Sequence, residues 1–355
     1  MQDSLGGEGS AAGLWGGVET QYFYEITPEK ILNAVEEYGV RCTGRCMSLH
    51  SMENRVYEVE IETQADPLSA YDRYLIIKFY RPGRWSREQI LEEHKFLKDL
   101  QEADIPAVAA LEYEGQTLRE LQDQKIFFAL FPKVGGRSPS ELNAEQLLRI
   151  GRLMARLHTV GAATPFKHRL QITPQTYGIQ NMRYLIDQKV IIPELEPVFS
   201  NLVERICAII EPLFSESRYQ RVHGDAHFGN LLWRDEGVSF VDFDDTVSAP
   251  PVQDLWLFVQ GRDCEAKEKM KILLQGYEEL RDFDRRTLTL IEPLRALRMI
   301  HYAAWIAHRR EDPAFQRVFK DFGSQPYWLE LISDLQDQLE IIQNDNIWGY
   351  HPSFN

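Results

Sequence analysis

Three polar side chains in the second half of the chain have the types and spacing that phosphoryl transfer needs. The stretch His223–Asn230 reads His-Gly-Asp-Ala-His-Phe-Gly-Asn, and Asp242 follows it at the end of a predicted hairpin. Phosphoryl transfer requires a carboxylate that orients the attacking hydroxyl and accepts its proton, and oxygen ligands that hold Mg²⁺ against the phosphates. We therefore assign Asp225 as the catalytic base, Asn230 as a metal ligand, and Asp242 as the principal metal ligand and second catalytic carboxylate.

The segment between the metal ligands supports this assignment. Leu231–Trp233 and Val238–Val241 are apolar runs on either side of the turn residues Asp235–Gly237, a pattern that predicts a hairpin. Such a hairpin would return the chain so that Asp242 lies beside Asn230. Asp, Asn and Gly are also common in ordinary turns, but the full spacing in this strand–turn–strand context favours the catalytic interpretation.

A lysine and a glutamate form the second candidate constellation. Lys78 lies in the β-rich run Tyr74–Tyr80, where a charged side chain is costly unless it is paired. On the helix predicted at residues 86–101, Glu93 falls within the apolar stripe. We expect a buried ion pair in which Glu93 positions Lys78 on the α- and β-phosphates of ATP. The alternative is that Lys78 lies on an exposed edge and Glu93 at the rim.

The segment that would cover the phosphates is not glycine-rich. No G-x-G-x-x-G precedes Lys78, and the absence of G-x-x-x-x-G-K-[ST] excludes the usual P-loop machinery. The segment between the first strands is Leu49–Arg55, in which Ser51 and Asn54 could contact phosphates through side chains or backbone N–H groups. An ordinary turn is the alternative.

A predicted helix at Thr287–Arg309 carries two arginines on one face. Arg295 and Arg298 lie there at helical spacing with Tyr302 and Trp305. This face could line the site of the acceptor substrate, and we name Arg295 and Arg298 as the candidates for that role, but the pattern favours an ordinary packed or solvated amphipathic face.

Length and composition limit the class of protein. A chain of 355 residues is longer than one core usually supports, which predicts two lobes. The net charge of −15 argues against binding to nucleic acid or to an anionic membrane. The sequence contains neither a membrane-spanning run nor a secretory signal, and its four cysteines do not suggest a disulfide framework. We expect a monomer in the cytoplasm.

The order of predicted elements gives an α+β, two-lobed, protein-kinase-like fold. The predicted parts are a flexible tail at residues 1–20, a small β-rich N-lobe at 21–132, a connector at 133–139 and a larger helical C-lobe at 140–355. In the N-lobe we predict strands at Arg55–Ile61, Tyr74–Tyr80 and Ile126–Phe131, a turn at residues 64–67, and helices beginning at Thr27-Pro28 and spanning 86–101. The C-lobe helices include Ala144–Leu157, Val198–Leu213, Glu265–Leu280 and Thr287–Arg309, interrupted by one β-hairpin.

These motifs resemble the bacterial stress response kinase A family, within the aminoglycoside phosphotransferase and choline kinase superfamily. The resemblance runs from about residue 25 to residue 345. Its most specific stretches are Leu49–Tyr57, Lys78–Pro82, Ile90–His94, His223–Asn230, Val252–Trp256 and Ile291–Ala296.

The resemblance implies an aminoglycoside-phosphotransferase-type kinase fold and the ATP- and Mg²⁺-dependent phosphorylation of protein Ser/Thr, linked to survival of stress. It also implies that Asp225 is the proton acceptor, that Asn230 and Asp242 bind Mg²⁺, and that Ser51 lies at the ATP site. The sequence departs from the family in its Gly-rich tail and in Phe243, which follows Asp242 where a leucine is frequent. Neither departure changes a catalytic group.

Three alternative functions differ in plausibility. The closest is a kinase for a small alcohol, such as an aminoglycoside, choline or homoserine, because the phosphoryl chemistry would be the same. A dinuclear metal hydrolase would need a D-x-H block before residue 223, and the sequence has none. A nucleotide-binding pseudokinase scaffold is disfavoured because every catalytic residue is present.

Overall fold

The computed structural model describes residues 23, 26–49, 51–62, 69, 71–121, 124–235, 237–344 and 347–348. The predicted tail at residues 1–20, His50, the predicted turn at residues 64–67 and Glu236 lie outside them. The chain forms two compact units. The smaller unit contains the described residues up to 94 and residues 109–135, and the larger contains residues 95–108 and the described residues from 136 onward. The connector at residues 133–139 stays a prediction.

The smaller unit is built on a five-stranded antiparallel sheet in the order β1-β2-β3-β5-β4. Its strands are β1 (Cys42–Ser48), β2 (Arg55–Ile61), β3 (Tyr74–Phe79), β4 (Arg119–Leu121) and β5 (Ile126–Pro132). Strand β2 has the predicted bounds. Strand β1 is implied only as the strand before Leu49–Arg55, without bounds, because it is a mostly exposed edge strand that lacks apolar alternation. Strand β4, which has only three residues, has no counterpart among the predictions.

Helix α1 (Pro28–Glu36) packs against this sheet. It begins as the Thr27-Pro28 pair predicts: Thr27 Oγ1 accepts the N–H of Lys30, and Pro28 occupies the first turn. The buried faces of the helix and sheet form one apolar core, in which the rings of Phe79 and Phe128 lie 5.7 Å apart. Helix α2 (Arg87–Glu102) follows β3.

The larger unit is mainly helical. Its helices are α3 (Ala144–Ala163), α4 (Gln180–Asp187), α5 (Glu196–Ser215), α6 (Val252–Trp256), α7 (Cys264–Glu278), α8 (Ile291–Ala307), α9 (Pro313–Val318) and α10 (Gln325–Gln343). A π-helical segment, Pro174–Ile179, leads into α4. Helices α3 and α7 approach closely through glycines, because a Cβ at Gly151 would overlap the carbonyl oxygen of Leu273 and one at Gly276 would overlap that of Leu148.

Two details of the larger unit differ from the predictions. The helix predicted at Thr287–Arg309 starts as a 3-10 segment, Arg285–Leu290, before α8 begins. Pro293 is accommodated in the first turn of α8, where backbone N–H groups need no helical partner. The predicted hairpin is present as β7 (Leu231–Trp233) and β8 (Val238–Phe240). The larger unit also contains a second antiparallel pair that was not predicted, formed by β6 (Gln220–Val222) and β9 (Val247–Ala249). Three-residue strands are too short for a periodic signal.

Residues 95–108 belong to the larger unit through packing and hydrogen bonds. The ring of Phe96 meets that of Phe243 edge to face at 6.0 Å, and Arg221 Nη1 donates to Asp99 Oδ2 at 2.7 Å. All four cysteines are free thiols. Within the described residues, no helix is long and apolar enough to cross a membrane.

Candidate active site

The loop His223–Asn230 follows β6, and its first residues are anchored by Asp254 of α6. The Asp254 carboxylate is fully buried and accepts the backbone N–H of His223 at Oδ2 and that of Gly224 at Oδ1, both at 2.8 Å. His158 Nε2 donates to Oδ2 at 3.0 Å. Within the described residues, the hydrogen bonds of the Asp254 carboxylate go to His158, His223 and Gly224 and not to the backbone of α6. Its carboxylate therefore fixes the backbone of the loop.

Gly224 permits the sharp turn that starts the loop. Its φ of +87° lies in the region that favours glycine, and a Cβ there would overlap the carbonyl oxygen of Asp245. Thr246 Oγ1 donates to the carbonyl oxygen of Val222 at 2.6 Å. The loop is thus held against the segment that follows Asp242.

Two cationic or hydrogen-bonding side chains engage the carboxylate of Asp225. Arg298 Nη2, on α8, donates to Oδ1 at 2.9 Å, and His227 Nε2 lies 3.2 Å from Oδ2. His227 Nδ1 accepts the N–H of Gly229 at 2.9 Å, which leaves Nε2 as the donor toward Asp225. The Asp225 side chain remains 21% exposed, so a substrate can reach it.

These neighbours set the charge of Asp225. Burial alone would raise the pKa of Asp225, but the hydrogen bonds and positive charges of His227 and Arg298 outweigh burial and lower that pKa below its usual range. The hydrogen bond to Asp225 in turn raises the pKa of His227. Asp225 is therefore a carboxylate at neutral pH, the form that can accept a proton.

Asn230 is tied to the backbone of Asp225. Its Nδ2 donates to the Asp225 carbonyl oxygen at 2.9 Å, so Oδ1 is the side-chain atom that remains to accept a hydrogen bond or bind a metal. His223 stiffens the same region, because its Nε2 donates to Val241 O at 3.0 Å and its Nδ1 accepts the N–H of Asp225 at 3.3 Å.

Asp242 comes directly after Val241, whose backbone is hydrogen-bonded to that of Asn230. The N–H of Val241 donates to the Asn230 carbonyl oxygen at 3.1 Å, as the predicted hairpin requires. Asp242 is exposed and has a φ of +60°, a left-handed conformation that Asp tolerates better than most residues. The hairpin therefore brings Asp242 to the same end of the loop as Asn230.

The donor set of Asn230 and Asp242 fits Mg²⁺. Mg²⁺ prefers oxygen ligands, and in nucleotide sites it is bound by one or two protein side chains while phosphates and water complete its shell. The amide oxygen of Asn230 and the carboxylate of Asp242 are such ligands. Over the described ranges, no group of three or more His, Cys, Asp or Glu residues is arranged to hold a metal.

The predicted ion pair of the smaller unit is present. Lys78 Nζ lies 3.3 Å from Glu93 Oε1, with the two side chains 8% and 1% exposed. Lys78 stands on the central strand β3, between Val56 of β2 and Ala129 of β5. The alternative of an exposed edge position for Lys78 is therefore wrong.

Ser51 and Asn54 shape the turn between β1 and β2. Ser51 Oγ accepts the N–H of Asn54 at 3.3 Å, and the buried Asn54 accepts the N–H of Arg81 through Oδ1 at 3.1 Å. Arg81 Nε donates in return to Glu53 O at 2.9 Å. The Asn54 side chain thus joins the turn to the end of β3, while Ser51 is half-buried.

The two arginines predicted on the acceptor side are in different environments. Arg298 is 46% exposed and bound to Asp225. Arg295 is 17% exposed, lies 4.9 Å above the ring of Trp256, and donates to the carbonyl oxygen of Gly261 at 3.1 Å. The structure therefore brings Arg298, but not Arg295, to the candidate base.

Three further residues support the site. His227 binds the candidate base, Gln253 Nε2 donates to Gly224 O at 2.9 Å, and Arg169 Nη1 donates to Asp244 O at 2.7 Å. His227 could have been inferred from its place two residues after Asp225, and Gln253 from its place beside Asp254. Nothing in the sequence around Arg169 indicates its contact.

A family model and named relatives match this chain along most of its length. A family model described as the phosphotransferase enzyme family matches residues 49–291. Stress response kinase A of Escherichia coli is 37% identical over 322 residues, which cover 90% of this chain and 95% of that protein. A protein of Salmonella typhimurium named serine/threonine protein kinase RdoA is 36% identical over 321 residues, covering 90% of this chain and 94% of that one.

A solved structure shares the fold. An amicoumacin kinase in complex with AMP-PNP and Ca²⁺ superposes with a TM-score of 0.68 at 18% identity, covering 91% of this chain and 95% of that chain. The predicted kinase-like α+β fold is thereby confirmed. The family match and the relatives lead to one conclusion: this chain belongs to the phosphotransferase enzyme family.

Proposed function

We propose that this phosphotransferase is an ATP- and Mg²⁺-dependent serine/threonine protein kinase that acts in a stress response. The names of the relatives that are 36–37% identical over 90% of the chain support a protein acceptor and the link to stress. The amicoumacin kinase bound to AMP-PNP and Ca²⁺ supports a nucleoside triphosphate and a divalent cation as its co-substrate and cofactor.

The observation that carries the proposal is the state of Asp225. This side chain is a carboxylate held by Arg298 and His227, on the same short loop as Asn230. In the proposed reaction Asp225 accepts the proton of a Ser or Thr hydroxyl as its oxygen bonds to the γ-phosphorus. The bond from that phosphorus to the bridging oxygen breaks, and ADP leaves with that oxygen.

The remaining site residues have supporting roles in this proposal. Asn230 Oδ1 and Asp242 would hold Mg²⁺, which when bound neutralises charge on the phosphates. Lys78, positioned by Glu93, would bind the α- and β-phosphates. Ser51 would donate to a phosphate oxygen, and Asn54 would hold the shape of that turn.

The test offers several acceptors to the enzyme with radiolabelled ATP and Mg²⁺. The panel contains a generic basic protein, a generic acidic protein, the enzyme itself, choline, homoserine and several aminoglycosides. Label on protein Ser or Thr that requires Mg²⁺ supports the proposal. Label confined to a small alcohol would overturn the protein acceptor but keep the phosphotransferase chemistry, and this is the outcome that the alternative of a small-molecule kinase predicts.

A further inference from the structure

The side chain of Arg298 is exposed, and few of its N–H donors are engaged in hydrogen bonds. A guanidinium has five N–H donors, and in the part of the chain that the structure describes, Arg298 makes one hydrogen bond, from Nη2 to Asp225 Oδ1. The side chain is 46% exposed. Most of the guanidinium edge is therefore available to another hydrogen-bond acceptor.

Because Arg298 is bound to Asp225, its guanidinium lies close to the place where the acceptor substrate must bind. If Asp225 accepts the proton of the attacking hydroxyl, the hydroxyl must come within hydrogen-bond distance of the Asp225 carboxylate. A group bonded to the same carboxylate then lies within one side chain's length of the acceptor residue. A guanidinium there is suited to a carboxylate, because its planar fork can bind both carboxylate oxygens.

We propose that Arg298 selects acceptor segments of a protein that carry an Asp or Glu next to the phosphorylated Ser or Thr. This inference rests on the proposed protein kinase function and narrows its substrate class. When the acceptor binds, its carboxylate forms hydrogen bonds with the guanidinium of Arg298. Asp225 Oδ1 is then released from its hydrogen bond with Arg298 and can receive the hydroxyl.

The charge of the whole protein makes a local cation necessary for such a substrate. The net charge of −15 repels an acidic segment in general, so an acidic acceptor needs a positive group at the point of contact. Arg298 supplies one beside the base. The same cation disfavours a positively charged acceptor, which would also have to displace it from Asp225.

The surface next to Arg298 suits an extended peptide. One turn further along α8, Tyr302 is 49% exposed and stacks on Trp305, with ring centroids 5.6 Å apart and planes 11° from parallel. Exposed tyrosines bury large area on binding at a low entropic cost, because their side chains have few rotatable bonds. A cation followed by an aromatic platform on one helix face therefore offers two successive contacts to a peptide chain.

The experiment measures kcat/KM for Ser peptides in which each flanking position holds Glu, Gln or Lys. We expect wild-type enzyme to prefer the best Glu peptide over its Gln counterpart by about tenfold, the scale of one charge-assisted hydrogen bond. Arg298→Gln should reduce this ratio to about twofold or less. Arg298→Lys should keep part of it, since the charge remains without the fork. The matched control is Arg152→Gln, an arginine of similar exposure (44%) paired with Glu279, which should keep the wild-type ratio.

Each outcome has a defined meaning. Wild-type phosphorylation of peptides without a preference for Glu, or a preference that survives in Arg298→Gln, overturns the inference and leaves the proposed kinase function intact. If wild-type enzyme phosphorylates small alcohols but no peptide or protein, both the proposed function and this inference fail. If Arg298→Gln is too slow to assay, binding of peptides with Ala in place of the acceptor Ser gives the same Glu-to-Gln ratio.

Discussion

The side-chain amide of Asn230 donates a hydrogen bond to the backbone carbonyl oxygen of Asp225, with Nδ2 and O 2.9 Å apart. This bond orients the carboxamide so that Oδ1 faces away from the Asp225 backbone. The candidate base and a candidate metal ligand are therefore positioned by one another, and a change at Asn230 should affect both metal binding and the loop.

Asn230→Ala removes the proposed ligand and the hydrogen bond together. We expect the Mg²⁺ concentration for half-maximal activity to rise by about 10- to 100-fold, the range found when metal-site partners are lost. The measurement is the rate of phosphate transfer against Mg²⁺ concentration at fixed ATP. Asn201→Ala, at an exposed position of α5, is the control. An unchanged Mg²⁺ dependence in Asn230→Ala would contradict the assignment.

The Lys78–Glu93 pair allows stability to be separated from nucleotide binding. Lys78→Met removes the cation that lies 3.3 Å from the Glu93 carboxylate, a side chain that is 1% exposed, and we expect the free energy of unfolding to fall by about 3–5 kcal/mol. Adding Glu93→Leu removes the buried negative charge as well and should restore much of that stability. ATP binding should stay weak in both variants, because the phosphate-binding cation is absent.

Denaturant unfolding and calorimetric titration with ATP provide the two measurements for this pair. Recovery of ATP affinity in the double variant would show that Lys78 acts only on stability. In that case its proposed contact with the phosphates would have to be abandoned.

Stability should fall on acidification because the half-buried His308 and the buried His158 resist protonation. Burial, with the nearby charge of Arg309, lowers the pKa of His308 to about 2, and its ring stacks on Tyr184 at 3.5 Å. The unfolded histidine titrates near pH 6.5, so below that pH the unfolded chain gains a proton that the folded chain does not bind. The stabilising contribution is complete above pH 6.5 and declines by up to about 1.4 kcal/mol per pH unit as the pH falls.

His308→Phe tests this dependence, since it preserves an aromatic ring against Tyr184 without a titrating group. Between pH 6.5 and 5.5 the free energy of unfolding of the wild type should fall by about 1 kcal/mol more than that of the variant, because the unfolded histidine is already half protonated at pH 6.5. His158, whose pKa is also lowered by burial, lowers stability on acidification equally in the wild type and in His308→Phe, so it does not affect the difference between them. Equal pH slopes would refute the prediction.

Much of the fold was accessible from the sequence where the apolar pattern is strong. Strand β2 (Arg55–Ile61) alternates, and its predicted bounds are the observed ones. Strand β1 (Cys42–Ser48) is polar because it lies at the edge of the sheet and exposes most of its residues. The three residues of β6 and of β9 carry no period at all. Such strands depend on their partners rather than on their own sequence.

The candidate site was predictable where one short segment carries several chemical groups. Asp225 and Asn230 are joined by a local hydrogen bond, and the hairpin that returns Asp242 is local as well. The contact of Arg298 with Asp225 joins distant parts of the chain. Periodicity placed Arg295 and Arg298 on one face, but which turn of α8 meets the loop depends on the packing of the larger unit. Sequence spacing alone therefore could not separate the two arginines.

The most direct test of the proposed mechanism compares wild type with Asp225→Asn in single-turnover transfer of radiolabelled γ-phosphate from Mg²⁺·ATP to protein. Asparagine preserves the shape of the side chain but cannot act as the base, so we predict that the rate falls by about 10²- to 10⁴-fold while calorimetry shows Mg²⁺·ATP binding within a few-fold of wild type. Asp235→Asn, at an exposed position of the β7–β8 turn, should transfer phosphate at the wild-type rate. Asp225→Asn that transfers phosphate at the wild-type rate would contradict the central role of Asp225.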